Sequence, residues 1–159
     1  SELHEGSTFR FTIPYDMHNK REEFKRNAER QQHLKVAIKS LQLRTLLVAE
    51  DVDSNFLLMN TVLGKRYKLI RARDGREAVN MYKEHHPDLI FMDIKMPYMD
   101  GLEATRLIRG YSKDVPIIAL TAFAFESDRE RAIEAGCNDY LTKPVSQEAI
   151  ERILEKYSL

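Results

Sequence analysis

From Thr45 onward the chain alternates short apolar runs with amphipathic stretches, and this rhythm predicts its elements. The runs Thr45–Ala49, Lys68–Ala72, Asp88–Asp93, Pro116–Thr121 and Asp139–Thr142 read as strands. Between and after them, apolar positions recur at helical spacing over Asn55–Lys65, Gly75–His85, Gly101–Gly110, Ser127–Ala135 and Gln147–Lys156. Local chemistry marks several boundaries. Ser54, Asp100 and Ser146 stand where helix N-caps are expected, and Gly136 stands where a helix C-terminus wants a glycine. The continuous apolar runs Leu89–Met92 and Ile117–Leu120 predict strands covered on both faces. Five βα units in succession predict a doubly wound α/β fold, a five-stranded parallel sheet with right-handed crossovers and helices on both sides.

The chain before Thr45 follows a different pattern. Phe9, Phe11 and Ile13 alternate with Thr8, Arg10 and Thr12, a half-buried strand ended by Pro14. Met17 to about Leu41 holds neither Pro nor Gly and is rich in helix formers, so it reads as helix. Charge follows the same division. Residues 1–16 carry one Arg against three acids, residues 17–44 eight basic residues against three acids, and residues 45–159 sixteen against nineteen. The expected organisation is therefore residues 1–16, a helical linker at 17–44, and a domain at 45–159. The basic residues of the linker alternate with Glu22, Glu23 and Glu29 and lack interleaved aromatics, so a solvated helix is expected and not a nucleic-acid surface.

Composition narrows the class. The 159 residues carry a net charge of zero, with 43% hydrophobic and 31% charged residues, which suits a soluble domain able to bury its own core. The single cysteine, Cys137, excludes an intrachain disulfide and fits a reducing, cytoplasmic setting. The longest apolar stretch, Ile117–Phe125, has nine residues and contains Thr121, so membrane contact by this piece is not expected. The first ten residues lack the basic-then-apolar order of a secretory leader.

Candidate chemistry gathers at the strand ends, because ligands of open α/β sheets bind beyond the carboxyl ends of the strands. The first strand runs into Glu50-Asp51, the third ends in Asp93, the fourth in Thr121, and the fifth leads to Lys143-Pro144. Three carboxylates, a hydroxyl and an ammonium on one rim imply a bound hard cation. Oxygen donors suit Mg²⁺, and no Cys or His is present there to favour zinc.

These landmarks, read in order, carry a resemblance. Glu50-Asp51, Asp93 within Asp93-Ile-Lys-Met-Pro-Tyr-Met-Asp-Gly101, Thr121-Ala122 and Tyr140-Leu-Thr-Lys-Pro144 resemble the receiver domain of two-component response regulators over Thr45–Leu159. The resemblance implies a flavodoxin-like strand order 2-1-3-4-5 and a cis Lys143–Pro144 bond. It implies Asp93 as acceptor of a phosphoryl group from phosphohistidine, with Mg²⁺ held by Asp51, Asp93 and the backbone carbonyl of Lys95, and Glu50 acting through water. It makes Lys143 a fixed charge on the phosphoryl oxygens. Thr121 and Tyr140 are the switch pair, with Ala122 small enough to leave room. Lys95 and Phe123, two residues beyond Asp93 and Thr121, are expected to restrict the attacking water and slow phosphate loss.

Asn55 resembles receivers fused to histidine kinases. Gly6-Ser-Thr-Phe-Arg-Phe-Thr-Ile-Pro14 is similar to the closing strand of a histidine-kinase ATPase domain. Together they imply the C-terminal part of a hybrid sensor kinase. The implied partners are a phosphohistidine donor domain of the same or a cognate kinase, a histidine phosphotransfer protein, and a second copy of the chain, through which the orphan strand Thr8–Ile13 would pair if it does not fold back. No nucleic-acid partner is implied, and no DNA-binding module follows Leu159. The motifs that hold ATP are missing, and none of His4, His18, His33, His85 or His86 lies in a phosphodonor context, so this stretch is expected to accept phosphate and not to act as a kinase itself. Other chemistries lack their residues. A haloacid-dehalogenase-type phosphatase needs a second Asp where Lys95 stands, a topoisomerase-primase-type nuclease needs Asp-x-Asp, and a nucleotide fold needs a Gly-rich turn where Glu50-Asp51 stand. The remaining alternative is a receiver that docks or dimerises without phosphorylation.

Overall fold

The computed structural model describes residues 25–32, 43–122 and 125–159. The chain divides into two compact units, residues 1–42 and 43–159. In the first, residues 25–32 are helical and exposed throughout, within the stretch expected to be a solvated helix. The expected strand Thr8–Ile13, together with His4, His18 and His33, lies outside the described residues, as does Phe123.

The second unit alternates strands β1 (Thr45–Ala49), β2 (Lys68–Ala72), β3 (Leu89–Asp93), β4 (Ile117–Thr121) and β5 (Asp139–Thr142) with helices. The helices are α1 (Asp53–Leu63), α2 (Gly75–His85), α3 (Gly101–Arg109), α4 (Glu126–Ala135) and α5 (Gln147–Lys156). All strand pairs are parallel, in the order β2-β1-β3-β4-β5.

Strand periodicity divides the core into two layers. Leu47, Ala49, Ile90, Met92, Ile117 and Ala119 face α2, α3 and α4, where Val79, Tyr82, Leu102, Ile108 and Ala132 meet them. Their neighbours Leu46, Val48, Leu89, Phe91, Ile118 and Leu120 face the other way, onto Met59 and Leu63 of α1 and Ile150, Ile153 and Leu154 of α5. Every residue of β3 and β4 is buried. That explains their unbroken apolar runs, since a central parallel strand has no solvent face. The edge strands β2 and β5 are half-buried and admit charged residues.

Most boundaries lie where the sequence placed them. Asp100 accepts a hydrogen bond from the Glu103 N–H at 2.8 Å and Ser146 one from the Ala149 N–H at 3.2 Å, so both cap their helices. Gly136 closes α4 with a left-handed φ of 106°, which a residue with a Cβ rarely adopts. Lys143–Pro144 is cis. His85 and His86 are exposed at the end of α2. The exception is α1. It starts at Asp53 on an extended Val52 with no side-chain cap, so Ser54 lies inside the helix and does not cap it. Asp53 is drawn to Arg71 of the neighbouring strand and to Arg73 just beyond it, and turns away from the helix amides. The third strand also starts one residue later than expected: Asp88 meets Thr45 through both its N–H, at 2.8 Å, and its carboxylate, which accepts the Thr45 N–H at 2.9 Å.

One glycine sets how closely β3 and α3 approach. A Cβ at position 101 would collide with the Asp93 carbonyl oxygen, while the Gly101 N–H donates to Ile94 at 3.0 Å. Gly101→Ala is expected to cost about 1–3 kcal/mol of stability, read from urea unfolding. Gly110, whose Cβ would meet nothing closer than 3.1 Å at an ordinary helical φ of −65°, should tolerate Ala with a much smaller loss.

Candidate functional site

The order β2-β1-β3 means that the chain leaves β1 in one direction and returns to its other side, which opens a crevice at the carboxyl ends of β1 and β3. The residues singled out in the sequence converge there. Glu50 and Asp51 follow β1, Asp93 ends β3, Thr121 ends β4, and Lys143 follows β5. A cleft of about 660 Å³ opens above them, lined among others by Asp51, Asp93, Lys95, Thr121, Ala122 and Lys143.

The three acids come together closely. One oxygen from each of Glu50, Asp51 and Asp93 lies within 4.8 Å of the others. Lys143 Nζ lies 2.6 Å from Asp93 Oδ2 and 2.5 Å from Glu50 Oε2. The Lys95 N–H donates to Asp93 Oδ1 at 3.0 Å. Glu50 Oε1 accepts from Asn55 Nδ2 at 2.9 Å and from the Val52 N–H at 3.3 Å. Glu50 Oε2 faces the ammonium but receives no well-directed hydrogen bond from any group.

Burial makes this arrangement costly. Glu50 is 1% and Asp93 5% exposed, so two carboxylates have left water against one shared ammonium. Desolvation pushes the Asp93 carboxyl above its ordinary value, and the Glu50 charge adds to it; Lys143 and the Lys95 N–H oppose but do not cancel this. Burial would lower the Lys143 ammonium, yet its hydrogen bond to Asp93 and the facing Glu50 carboxylate outweigh that and raise it. An all-oxygen cluster with more negative than positive charge, in which a buried Glu50 oxygen has only the ammonium beside it, is a donor set for a hard cation.

Thr121 is buried, and its carbonyl accepts the Lys143 N–H at 2.7 Å, which ties the end of β4 to the lysine. Tyr140 lies away from the acids. It is half-buried against the α2–α4 core, with the Arg129 guanidinium 5.7 Å from its ring centroid. The Lys95 side chain is exposed at the rim.

Two features of the site had no signal in the sequence strong enough to assign a contact. Asn55 was notable only for its motif, yet it holds one oxygen of Glu50. Arg71 was noted only as part of β2, yet its guanidinium reaches two carbonyls of the β1–α1 loop and the Asp53 carboxylate at the start of α1.

With this geometry in view, comparison with known proteins is decisive. The response regulator receiver domain family matches residues 46–155. The chain belongs to this family. The receiver is 37% identical over 117 residues to the polar-differentiation response regulator DivK of Brucella ovis, covering 72% of this chain and 95% of that protein. It is similar to the receiver domain of sensor histidine kinase PA1611 from Pseudomonas aeruginosa, a structure with a magnesium ion coordinated in the active site cleft. That likeness has 38% identity and a TM-score of 0.68, over 73% of this chain and 98% of the other. A further likeness is to the Saccharomyces cerevisiae complex of the histidine phosphotransfer protein Ypd1 with the receiver domain of Ssk1. There the identity is 35% and the TM-score 0.69, over 72% of this chain and 88% of the matched chain. The flavodoxin-like fold and a role in two-component signalling follow. Among the described residues, no helix is long and apolar enough to cross a membrane.

The electrostatics of the receiver site give a signed expectation. Because the folded Asp93 holds its proton more tightly than the unfolded chain does, the stability it contributes is full below its ordinary value of 3.8 and is lost as pH rises through the raised value. At pH 7 the ionised carboxylate therefore weakens the fold. Urea unfolding in chelator-treated buffer should find Asp93→Asn more stable than wild type at pH 7, with the gap closing as pH falls towards 4. A wild type more stable at both pH values would contradict this.

Proposed function

We propose that this receiver accepts a phosphoryl group from a phosphohistidine onto the Asp93 carboxylate. The observation that carries the reading is the pairing of Asp93 Oδ2 with Lys143 Nζ at 2.6 Å in a cleft also lined by Asp51, with a Glu50 oxygen within 4.8 Å of both acids. A carboxylate oxygen of Asp93 attacks phosphorus as the P–N bond breaks, and the bonding pair returns to the imidazole of the donor. The product is an aspartyl phosphate. Lys143, on the same side of Asp93, meets the phosphoryl oxygens as a point charge. The Lys95 N–H steadies the Asp93 oxygen that it already holds.

Mg²⁺ fits this donor set, with Asp51, Asp93 and the Lys95 carbonyl as ligands and Glu50 reaching it through water, and when bound it would neutralise charge on the phosphoryl oxygens. The Thr121 hydroxyl hydrogen-bonds the transferred group and moves towards it, and Tyr140 turns inward to fill the space, which Ala122 leaves open. The surface formed by α4, β4 and β5 thereby reports phosphorylation. Lys95 at the rim, with Phe123, restricts hydrolytic water.

The wider setting is read from two short features. The segment Gly6–Pro14 and Asn55 support an origin in a hybrid histidine kinase, with residues 1–16 as the end of its ATPase domain and 17–44 as linker. The donor is then a phosphohistidine of the same or a cognate kinase, and a histidine phosphotransfer protein is the next carrier. A cytoplasmic location follows from that role.

Acetyl phosphate with Mg²⁺ tests the reading. Intact-mass measurement should show the gain of a single phosphoryl group in wild type and none in Asp93→Ala, and Lys143→Ala should react about a hundredfold more slowly. An unmodified wild type under these conditions would favour the alternative, a receiver that docks or dimerises without phosphorylation.

A further inference from the structure

Arg71 makes more contacts with the acidic loop than any other side chain described, although it is neither a carboxylate nor the lysine of the site. From β2 its Nε donates to the Glu50 carbonyl at 3.0 Å and its Nη2 to the Asp51 carbonyl at 3.0 Å. Its Nη1 donates to Asp53 Oδ1 at 2.6 Å, and the guanidinium carbon lies 4.7 Å from the Phe56 ring centroid. Only 16% of the side chain is exposed. One planar fork thus holds two consecutive carbonyls of the loop and the first turn of the helix that follows.

We propose that Arg71 is a positioning residue for cation binding, holding the Glu50-Asp51 backbone so that both carboxylates are presented to Asp93 before a cation arrives. This rests on the Mg²⁺ reading above. Peptide planes are rigid, so fixing the direction of the Glu50 and Asp51 carbonyls fixes where the chain between them can project its side chains. Three carboxylates within 4.8 Å repel one another, and an untethered loop would relieve that repulsion by letting them separate. The guanidinium opposes this in two ways: its bonds are directional, and its charge sits behind the loop, where the carbonyls face it. A cation binding to the tethered loop need not supply the ordering itself.

The sign of the effect separates positioning from mere charge. If Arg71 acted only as a nearby positive charge, removing it would tighten Mg²⁺ binding. If it positions the loop, removing it weakens binding, and a lysine, which keeps the charge but lacks the fork, does not rescue. Calorimetric titration of the full chain with Mg²⁺ alone reads this directly. Arg71→Met and Arg71→Lys should each raise the Kd about tenfold. In the metal-free proteins the amides of residues 50–53 should exchange faster than in wild type.

Arg109 provides the control. It makes an equally rich set of bonds, to Gly136, Ser112, Val115 and Asn138, but from α3 to loops that flank the amino ends of β4 and β5. Arg109→Lys should lower the melting temperature and leave the Mg²⁺ Kd unchanged. Equal or tighter binding by Arg71→Met, or an equal loss of affinity in Arg109→Lys, overturns the proposal. A wild type that takes up no Mg²⁺ overturns the metal reading and this inference with it. Should Arg71→Met not fold, Arg71→Lys carries the test.

Discussion

Two buried carboxylates share one ammonium at the carboxyl edge of the sheet, and the rest of the site is arranged around that imbalance. Glu50 and Asp93 have both given up water, and Lys143 lies within 2.6 Å of each. A pair would be neutral; a trio of two acids and one base is not, and the third acid, Asp51, adds to the excess. In a medium less polar than water this excess is a standing demand for positive charge. It makes the crevice suited to a divalent ion and to the transfer of a charged group.

The scaffold answers this demand with rigidity. Asp93 is the last residue of a strand with no solvent face, and its backbone is held beside Leu120 of β4, one residue beyond the end of the β1 ladder at Met92. Lys143 is tied by its own N–H to the end of β4. Gly101 brings the start of α3 against the Asp93 carbonyl, and Asp100 caps that helix through its own carboxylate. The loop after β1 has no comparable ladder beyond a single hydrogen bond from Glu50 to β2. It is steadied by side chains instead, Asn55 on one oxygen of Glu50 and Arg71 on the carbonyls. In this receiver the central strand β3 carries Asp93, and the edge strand β2 carries the arginine that bonds the acidic loop.

Much of this architecture was legible along the chain, for identifiable reasons. Runs such as Leu89–Met92 and Ile117–Leu120 can be satisfied only between two layers, so the central strands and the helices on either side followed from composition and period. The convergence of Asp93, the acidic pair and Lys143 was legible because each stands directly at a strand end, where an open α/β sheet places its ligand. Ser54 was misread as a cap because local propensity favours it, whereas the competing attraction of Asp53 to Arg71 and Arg73 comes from residues at the end of the next strand and just beyond it.

What the sequence determined by itself is the order of elements and the kinds of group at their ends, since both depend on neighbours one or two turns away. Only the tertiary structure decided which oxygen faces which nitrogen. The contacts of Arg71 with residues 50, 51 and 53 cross some twenty positions of chain. They exist because β1 and β2 pair in parallel with Ala49 beside Ala72, which sets Arg71 against the loop leaving β1. Register between strands is a property of the packed sheet, and no local pattern in either strand encodes it.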